Sequence, residues 1–260
     1  MSLRTPWIAL SLAAVLTPAA APADVVLLDF GDTLYTGTDS PGHEDGLATG
    51  STWNGVTGDV ASGLVDQNGA ALVGLALDFG TGPDATSINY SNTVRAADAD
   101  HTAFPQWNDN LGTDHLVRDD SNLGPALALA VTGLADGVYD FYFTGFRGDN
   151  AFNADRNYEV RTTTSGSAVT DFSSIAIQTL TNSNPTTANS WDPGDNYITG
   201  QFTIAGGSDF YLFVDSPEQN SAGNTFIGVA SSLEIVAVPE PGSLVLIGLG
   251  GLAFLARRGR

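Results

Sequence analysis

The sequence predicts an all-β fold, an antiparallel β-sandwich of the jelly-roll type, flanked by two apolar terminal segments. Only five of the 29 acidic residues are Glu, and the rest are Asp, a residue of turns rather than of helices. The chain also contains 30 Gly and 12 Pro, and several segments alternate apolar and polar residues. No segment repeats its apolar residues every 3.6 positions, as an amphipathic helix does. Together these observations favour strands joined by loops.

The charge and the cysteine content of the chain argue against a nucleic-acid partner and against sites built from Cys. The formal net charge is -20, and all nine basic residues are Arg. Four of these nine lie in the terminal segments, so the body of the chain is strongly acidic. Phosphate binding requires clustered Lys and Arg, and we therefore expect no nucleic-acid partner. The chain has no Cys, which excludes a disulfide framework and thiolate metal sites.

Residues 1–23 have the pattern of a secretory signal peptide. Arg4 precedes an apolar stretch at 7–16, and Ala21-Pro22-Ala23 fits the small-residue rule for signal cleavage. Pro6 and Pro18 bracket the stretch, which disfavours a buried N-terminal helix. The mature protein is expected to begin at Asp24.

Residues 24–237 are predicted to form one β-sandwich domain. The predicted strands are 25–30, 71–79, 126–131, 138–146, 158–163, 174–179, 197–204, 210–215 and 226–236. The link at 205–209 between two of these strands has the length of a hairpin turn. Residues 81–123 are weakly patterned, and we expect a long loop region there, on one rim of the sandwich.

The C-terminal segment combines three features in a fixed order. Pro239, Glu240 and Pro241 precede an apolar run at 242–256, and Arg257, Arg258 and Arg260 follow it. As a helix, this run would be about 22 Å long, so it crosses a hydrocarbon core of roughly 30 Å only with thinning or snorkelling arginines. The arginines would remain cytoplasmic, which leaves the acidic body outside.

Residues 238–260 resemble the PEP-CTERM protein-sorting signal in all three features. The resemblance implies recognition by an exosortase, a membrane-embedded cysteine protease or transpeptidase of Gram-negative bacteria. It implies a stage of anchoring in the inner membrane through the short transmembrane helix, followed by removal of the tail near Pro-Glu-Pro. The body then reaches the cell surface or the extracellular matrix, released or attached. An ordinary tail anchor is the alternative.

The body also resembles the galactose-binding-like and malectin-like β-sandwich domains. The likeness lies in Leu28-Asp29-Phe30-Gly31, in Trp53-Asn54-Gly55, and in the segment 134–139 that leads into a strand. It implies that the final strand lies beside the first. These motifs are short, and they identify no binding residues.

Two groups of residues are candidates for sugar recognition. Arginine, acidic and amide side chains next to an aromatic face supply the donors, acceptors and stacking surface that sugar hydroxyls and rings require. The candidate ligand-binding residues are Arg147, Asp149, Asn150 and Arg156, with Trp53, Trp107 and Trp191 as aromatic platforms. In the alternative interpretation the arginines pair with local acids and the tryptophans fill the ends of the sandwich.

An esterase site is a distant alternative. Phe30-Gly31-Asp32-Thr33-Leu34 resembles the Gly-Asp-Ser-Leu block of lipase-like hydrolases, and Asp98 and His101 match an Asp-x-x-His pattern. That family uses Ser where this chain has Thr33, and it places the Asp-His pair near the C-terminus, on a fold with alternating helices. We therefore expect no enzyme activity and assign no catalytic residues.

The metal content is left open by the sequence. Asp98, Asp100, Asp119, Asp120 and Asp149 lie in polar segments whose oxygen atoms suit a structural Ca²⁺. None of these segments matches a known calcium loop, so solvated turns are the default, and no cofactor is expected. The three histidines lack the spacing of a zinc site.

These patterns lead to one functional expectation. The chain is expected to be an exported, non-enzymatic protein of the cell surface or exopolysaccharide matrix, with glycan binding by the β-sandwich. A purely structural role in matrix or adhesion is the alternative.

Overall fold

The computed structural model describes part of the chain. The described residues are 25–30, 40, 52–57, 60–80, 93–95, 115–119, 127–145, 157–167, 169, 174–181, 191–215 and 227–238. They belong to the compact unit Ala23–Val238. The predicted signal peptide and the predicted sorting tail lie outside the described residues. Among the described residues, no helix has the length and apolar character that crossing a bilayer requires.

The described part of the chain is all-β. Its strands are β1 (Val25–Asp29), β2 (Asn54–Gly55), β3 (Val60–Ser62), β4 (Ala76–Gly80), β5 (Thr93–Arg95), β6 (His115–Asp119), β7 (Leu127–Thr132), β8 (Gly137–Thr144), β9 (Asn157–Ser165), β10 (Ile177–Thr181), β11 (Ile198–Ile204), β12 (Asp209–Asp215), β13 (Ile227–Ala230) and β14 (Ser232–Ala237).

These strands form two main sheets and one small sheet. Sheet I has the order β11-β8-β14-β1-β2, and sheet II has the order β10-β9-β12-β7-β4-β3. The small sheet has the order β13-β6-β5. All pairs of neighbouring strands are antiparallel except β1 and β2, which are parallel. As expected, the last described strand lies beside the first, with Val25 opposite Val236.

Sheets I and II pack face to face around one core. Leu28 and Phe141 of sheet I and Leu129 and Phe210 of sheet II belong to the same buried cluster. The Phe210 ring lies 4.1 Å from that of Phe202 and 5.6 Å from that of Phe141, measured between ring centroids. The predicted β-sandwich is therefore confirmed.

Several strands are buried on both faces. Every residue of β1 is buried, and so are all residues of β12 from Phe210 to Asp215. Successive side chains of a strand point to opposite faces, so a continuous apolar run requires cover on the outer face as well. In sheet I this outer cover includes Trp53 and Trp191, and in sheet II it includes Val169.

Two short links cross between the sheets, as in a jelly roll. The link from β11 to β12 leads from sheet I to sheet II, so the predicted hairpin at this link is wrong. Gly206 and Gly207, with φ of 62° and 75°, provide the sharp turn. The link of 133–136 joins β7 in sheet II to β8 in sheet I in the same way. Short links of this kind are compatible with two layers about 10 Å apart.

The strands define two ends of the sandwich. We call one of them the exit end, because β14, the last described strand, ends there at Ala237. The exit end also holds the start of β1 at Val25 and the links 63–75, 133–136 and 205–208. The far end holds the opposite strand termini, including Asp29, Thr144 and Asn157. The chain between β8 and β9, which carries Arg147 and Arg156, therefore connects strand ends at the far end.

Several segments differ from the sequence prediction, including the strand predicted at 174–179, which forms β10 at Ile177–Thr181. The strand predicted at 71–79 begins only at Ala76, since Gly74 with φ of 88° bends the chain before it. The strand predicted at 226–236 is interrupted at Ser231, whose N–H donates to Thr144 O while its carbonyl accepts from Phe30 N. Residues 81–123 contain β5 and β6, which add to β13 rather than remain a loop.

Candidate functional site

The outer face of sheet I carries an aromatic cluster, which we call the outer cluster. Val25 and Leu27 point outward from β1, while Val26 and Leu28 point into the core. The outer cluster consists of Val25, Leu27, Trp53, Trp191 and Tyr197, with Tyr142 and Val236 packed against it. Apolar side chains on an outer sheet face require such cover, because exposed they would form an apolar patch.

Trp53 is positioned by its neighbour Asn54. The Asn54 side-chain amide donates to Leu27 O at 3.0 Å and to Val65 O at 2.9 Å. Its Oδ1 accepts from Val65 N at 2.9 Å. One side chain thus binds three backbone groups, and it fixes the short parallel strand β2 against β1.

Trp191 and Tyr197 are positioned by a compact turn at 191–197. Gly194 N donates to Tyr197 O at 2.7 Å, and Asp192 N donates to Asn196 Oδ1 at 2.8 Å. Gly194 has a φ of 83°, a conformation that favours glycine. The turn is held to sheet II by Thr181 N, which donates to Gly194 O at 3.0 Å. It places both aromatic side chains over sheet I.

The aromatic rings of the outer cluster contact one another. The Trp191 and Tyr197 rings lie 6.5 Å apart at 78°, an edge-to-face pair, and Tyr197 lies 6.1 Å from Tyr142. Trp53 and Trp191 are only 4% and 5% exposed. The cluster is therefore a packed assembly in which Tyr142 is the half-buried member nearest to polar neighbours.

Carboxylates and hydroxyls continue this face toward the far end. The register of sheet I aligns Asp29, Ser232 and Thr144 in one row, and Leu27, Glu234 and Tyr142 in the next. Asp29 and Glu234 are 1% and 0% exposed, and the Thr144 and Ser232 hydroxyls are hydrogen-bonded at 2.6 Å. Acidic side chains are rarely buried to this extent in proteins.

The Tyr142 hydroxyl is held in its neutral form. Burial raises the pKa of Tyr142, and the carboxylates of Asp140 and Glu234 raise it further, because ionisation would place a third negative charge beside them. Asp140 Oδ1 also accepts from Gln201 Nε2 at 3.0 Å on the exposed part of this face. Tyr142, Asp140 and Gln201 together provide hydroxyl, carboxylate and amide groups next to aromatic rings.

The structure brings together two of the predicted ligand-binding residues. Trp53 and Trp191, distant in sequence, meet in the outer cluster. The five others lie outside the described residues: Arg147, Asp149, Asn150, Arg156 and Trp107. The esterase candidates Thr33, Asp98 and His101 also lie outside them.

Sequence reasoning missed the polar members of the face. Alternation in β8 places Asp140, Tyr142 and Thr144 on the face opposite Tyr139, Phe141 and Phe143, and this alternation could have revealed them. Glu234 also stands out, as the acid within an otherwise apolar strand.

Arg161 shows how one arginine of the body is used. It donates to Glu159 Oε2 at 2.7 Å on the outer face of sheet II, so it is paired with a local acid. This is the arrangement that the alternative interpretation expects for Arg147 and Arg156.

The described part of the chain contains no group of three His, Cys, Asp or Glu side chains close enough to hold a metal ion. The Asp-rich segments considered for Ca²⁺ lie outside it, except for Asp119 at the end of β6. A structural Ca²⁺ in those segments stays a prediction.

Residues 237–260 match the PEP-CTERM protein-sorting motif. The chain carries a PEP-CTERM sorting signal. The signal marks an exported protein that passes through a membrane-anchored stage and is processed by an exosortase. The PEP-CTERM match begins at Ala237, the last residue of β14, so the signal starts where the sheet ends.

Solved structures that are similar to the chain include three with TM-scores below 0.4. The Bacillus subtilis protein YXIM has a TM-score of 0.36 and 16% identity over 83% of this chain and 40% of its own length. A family 35 carbohydrate-binding module from Clostridium thermocellum has a TM-score of 0.32 and 13% identity, over 62% of this chain and 99% of the module. An exo-β-1,3-galactanase from Phanerochaete chrysosporium, with β-1,3-galactotriose, has a TM-score of 0.29 and 10% identity. The similarity covers 69% of this chain and 29% of the galactanase.

The chain thus spans less than half of the Bacillus subtilis protein. No curated protein matches the sequence. At these scores the similarities assign no function to the chain.

Proposed function

We propose that the β-sandwich is a non-enzymatic glycan-binding domain of the cell surface or exopolysaccharide matrix. The observation that carries this proposal is the outer face of sheet I, where aromatic rings adjoin a row of hydroxyl, amide and carboxylate groups. Tyr142, Asp140 and Gln201 are described residues of this face that are not buried, so a ligand can reach them. Sugar recognition requires this combination of a ring face and fixed polar groups.

The sequence places predicted ligand-binding residues shortly after the strand that carries this face. β8 carries Asp140, Tyr142 and Thr144 on its outer face and ends at the far end of the sandwich. The chain reaches Arg147 two residues after Gly145, and Asp149 and Asn150 follow directly. The sequence therefore adds bidentate donors and acceptors at the terminus of the strand that carries the polar row.

The absence of enzyme activity is part of the proposal. Hydrolysis of a glycosidic bond uses two carboxyl groups that flank the bond and reach the substrate. The two most buried carboxylates of the described residues on this face, Asp29 and Glu234, are 1% and 0% exposed. Neither offers an accessible acid or base in this conformation.

A structural role in the matrix is the second candidate. It is favoured by the burial of Trp53 and Trp191, which fill the outer cluster instead of presenting their rings to solvent. In that case sheet I is a packing surface, and the far end has no soluble ligand.

Binding to the exopolysaccharide of the producing cells, measured by affinity electrophoresis, tests the proposal. We expect Arg147→Ala and Tyr142→Phe to weaken binding by roughly 10-fold or more each, the effect of losing a hydrogen bond to a charged or buried group. Thr203→Ala, an exposed change on the same sheet near the exit end, is the matched control and should bind like the wild type. Wild-type protein that retains its fold but binds no glycan would refute the proposal and favour the structural role.

A further inference from the structure

An apolar cavity opens at the exit end of the sandwich. Its volume is about 270 Å³, and it lies between the loop 71–75 that precedes β4 and the link that joins β7 to β8. Its wall consists of residues 71–73, Leu75, residues 133–135, Val26 and Tyr139. None of these residues carries a charge.

The rim of this cavity exposes apolar side chains. Val73 is 95% exposed, and among the described residues only Ile177 is a second large hydrophobic residue with high exposure. Ala71 and Ala135 are also exposed, and Leu72 and Leu134 are half-buried. We call the loop 71–75 and the link 133–135 the exit patch. Soluble proteins tolerate single exposed apolar residues, but a contiguous set around a cavity indicates an interaction surface.

The exit patch is built as a defined surface. A side chain at Gly133 would collide with the Gly74 carbonyl, so the two loops of the patch touch through their backbones. The Tyr139 hydroxyl donates to Ala135 O at 2.8 Å and so holds the link 133–135 against β8. Gln67 N donates to Val25 O at 2.9 Å and connects the loop region to β1.

The exit patch lies beside the point where the chain leaves the sheet. Tyr139, in the cavity wall, pairs with Ala237, and Val238 N donates to Val138 O at 2.8 Å. Three residues, Pro239, Glu240 and Pro241, then separate Val238 from the apolar run that begins at Gly242. Fully extended, the chain covers at most about 14 Å over these four residue steps. While the run is in the bilayer, the exit end cannot be far from the lipid headgroups.

We propose that the exit patch rests on the lipid surface while the sorting signal anchors the chain. The occupant is the headgroup and acyl boundary of the bilayer, which accepts an uncharged apolar surface. Val73 and Leu72 would enter this boundary, and the cavity would adapt to the acyl chains. The inference depends on the membrane-anchored stage and not on glycan binding.

The contact would act only in the anchored precursor. A tether of three residues keeps the patch at a high effective concentration next to the bilayer, so a weak apolar contact is sufficient. After the tail is removed, an apolar patch with no second anchor binds lipid marginally and reversibly. The acidic body also gains nothing from anionic lipids. Cleavage would therefore free the domain from the surface as well as from the anchor.

Single-cysteine labelling tests this proposal, because the natural chain has no Cys. The full chain with its sorting signal is reconstituted into vesicles of phosphatidylethanolamine and phosphatidylglycerol that contain a spin-labelled lipid. Val73→Cys is labelled with an environment-sensitive fluorophore, and Ile177→Cys, at the other exposed hydrophobic position, is the matched control. We expect quenching at 73 at least about twofold above that at 177, since interfacial apolar surfaces lie about 5–10 Å deep. Equal quenching at the two positions would overturn the proposal.

Hydrogen exchange of the unlabelled protein tests the same lipid contact without a fluorophore. We expect amides of 72–75 and 133–135 to be protected in vesicles relative to the same chain after proteolytic removal of the tail, while 177–181 are unchanged. Protection that persists without the tail and rises with protein concentration would identify a second copy of the chain as the occupant and refute lipid contact. If the domain binds no glycan, the expected quenching and the expected exchange protection stay the same, because neither measurement involves a glycan.

Discussion

The two ends of the sandwich differ in how their strands are connected. At the exit end, four-residue links join β7 to β8 and β11 to β12, and three of their glycines, Gly133, Gly206 and Gly207, have positive φ. At the far end, the chain between β8 and β9 runs through twelve residues, and that between β12 and β13 through eleven (145–156 and 216–226). Long connections on a rigid scaffold are where binding residues concentrate.

The comparison indicates a division of roles. The exit end contains tight turns, a preformed cavity and the chain terminus that leads to the sorting signal, and its sequence is constrained by backbone geometry. The far end holds the polar end of sheet I and the strand ends that the connections 145–156 and 216–226 join. Substitutions at the exit end should therefore change stability, whereas those at the far end should change binding.

The largest effect is expected for Gly133→Ala. Its φ of 82° disfavours any side chain, and the added methyl group would meet the backbone of Gly74. We expect a loss of about 3–5 kcal/mol in the free energy of unfolding, measured by urea denaturation. Gly206→Ala is the matched control, since its φ of 62° is also positive but no atom lies within 4 Å. Gly206→Ala should lower the free energy of unfolding by about 1–2 kcal/mol. Equal losses for the two variants would show that the close contact between Gly133 and Gly74 does not affect stability.

Asn54→Ala should have the next largest effect. It removes three hydrogen bonds that join β2, β1 and Val65, and we expect a loss of about 2–4 kcal/mol in unfolding free energy. Asn196→Ala removes an exposed bond to Asp192 N and should cost about 1 kcal/mol or less. If the two variants were equally stable, Asn54 would not be what holds Trp53 in place.

Tyr142→Phe should change the pH dependence of stability. Burial, with Asp140 and Glu234, raises the pKa of Tyr142 above 10.0, so the folded state retains this proton after the unfolded state has released it. The stabilisation is therefore complete below pH 10 and declines as the pH rises through the folded-state pKa. Urea denaturation above pH 10 should show a shallower decline for Tyr142→Phe than for the wild type. Parallel curves would contradict the raised pKa.

Asp209→Asn should have the smallest effect. Burial raises the pKa of Asp209 above 3.8, while the hydrogen bond from the Gly133 backbone lowers it. The stabilisation by the protonated acid is present below pH 3.8 and is lost as the pH rises through the folded-state pKa. At pH 7 we expect the amide variant to equal or exceed the wild type by about 0.5 kcal/mol or less, and this advantage should disappear in acid. A clear loss of stability at pH 7 would mean that the hydrogen bond from the Gly133 backbone depends on the ionised form of Asp209.

Much of the fold could be predicted because many of its strands are strongly patterned. β1, β7, β8, β11 and β12 begin and end within one or two residues of the segments that apolar runs and alternation indicate. β5 and β6 could not be found in this way, because they are short and depend on pairing with β13. The assignment of β11 and β12 to opposite sheets also escaped prediction, since a short link is compatible with a hairpin or a crossing.

The candidate site was less predictable than the fold. Their positions in loops indicate Trp53 and Trp191 as aromatic platforms, but the structure buries both against Leu27 and Tyr197. Their ligand-binding role stays a prediction. No local pattern shows that Asn54 reaches Val65, because that contact depends on how β2 lies against β1. Nor does one show that Glu234 lies beside Tyr142, because that contact depends on the pairing of β14 with β8.

The pairing of β1 with β14 also governs the order of folding. The ribosome completes Val25 early and Val236 late, yet these residues face each other in the finished sheet. β1 has only the two-residue β2 as its other neighbour, so it cannot be held in sheet I until the last strand has been made. Closing so long a stretch of chain is slow, and until then the Val-Val-Leu-Leu run of β1 is open to wrong partners.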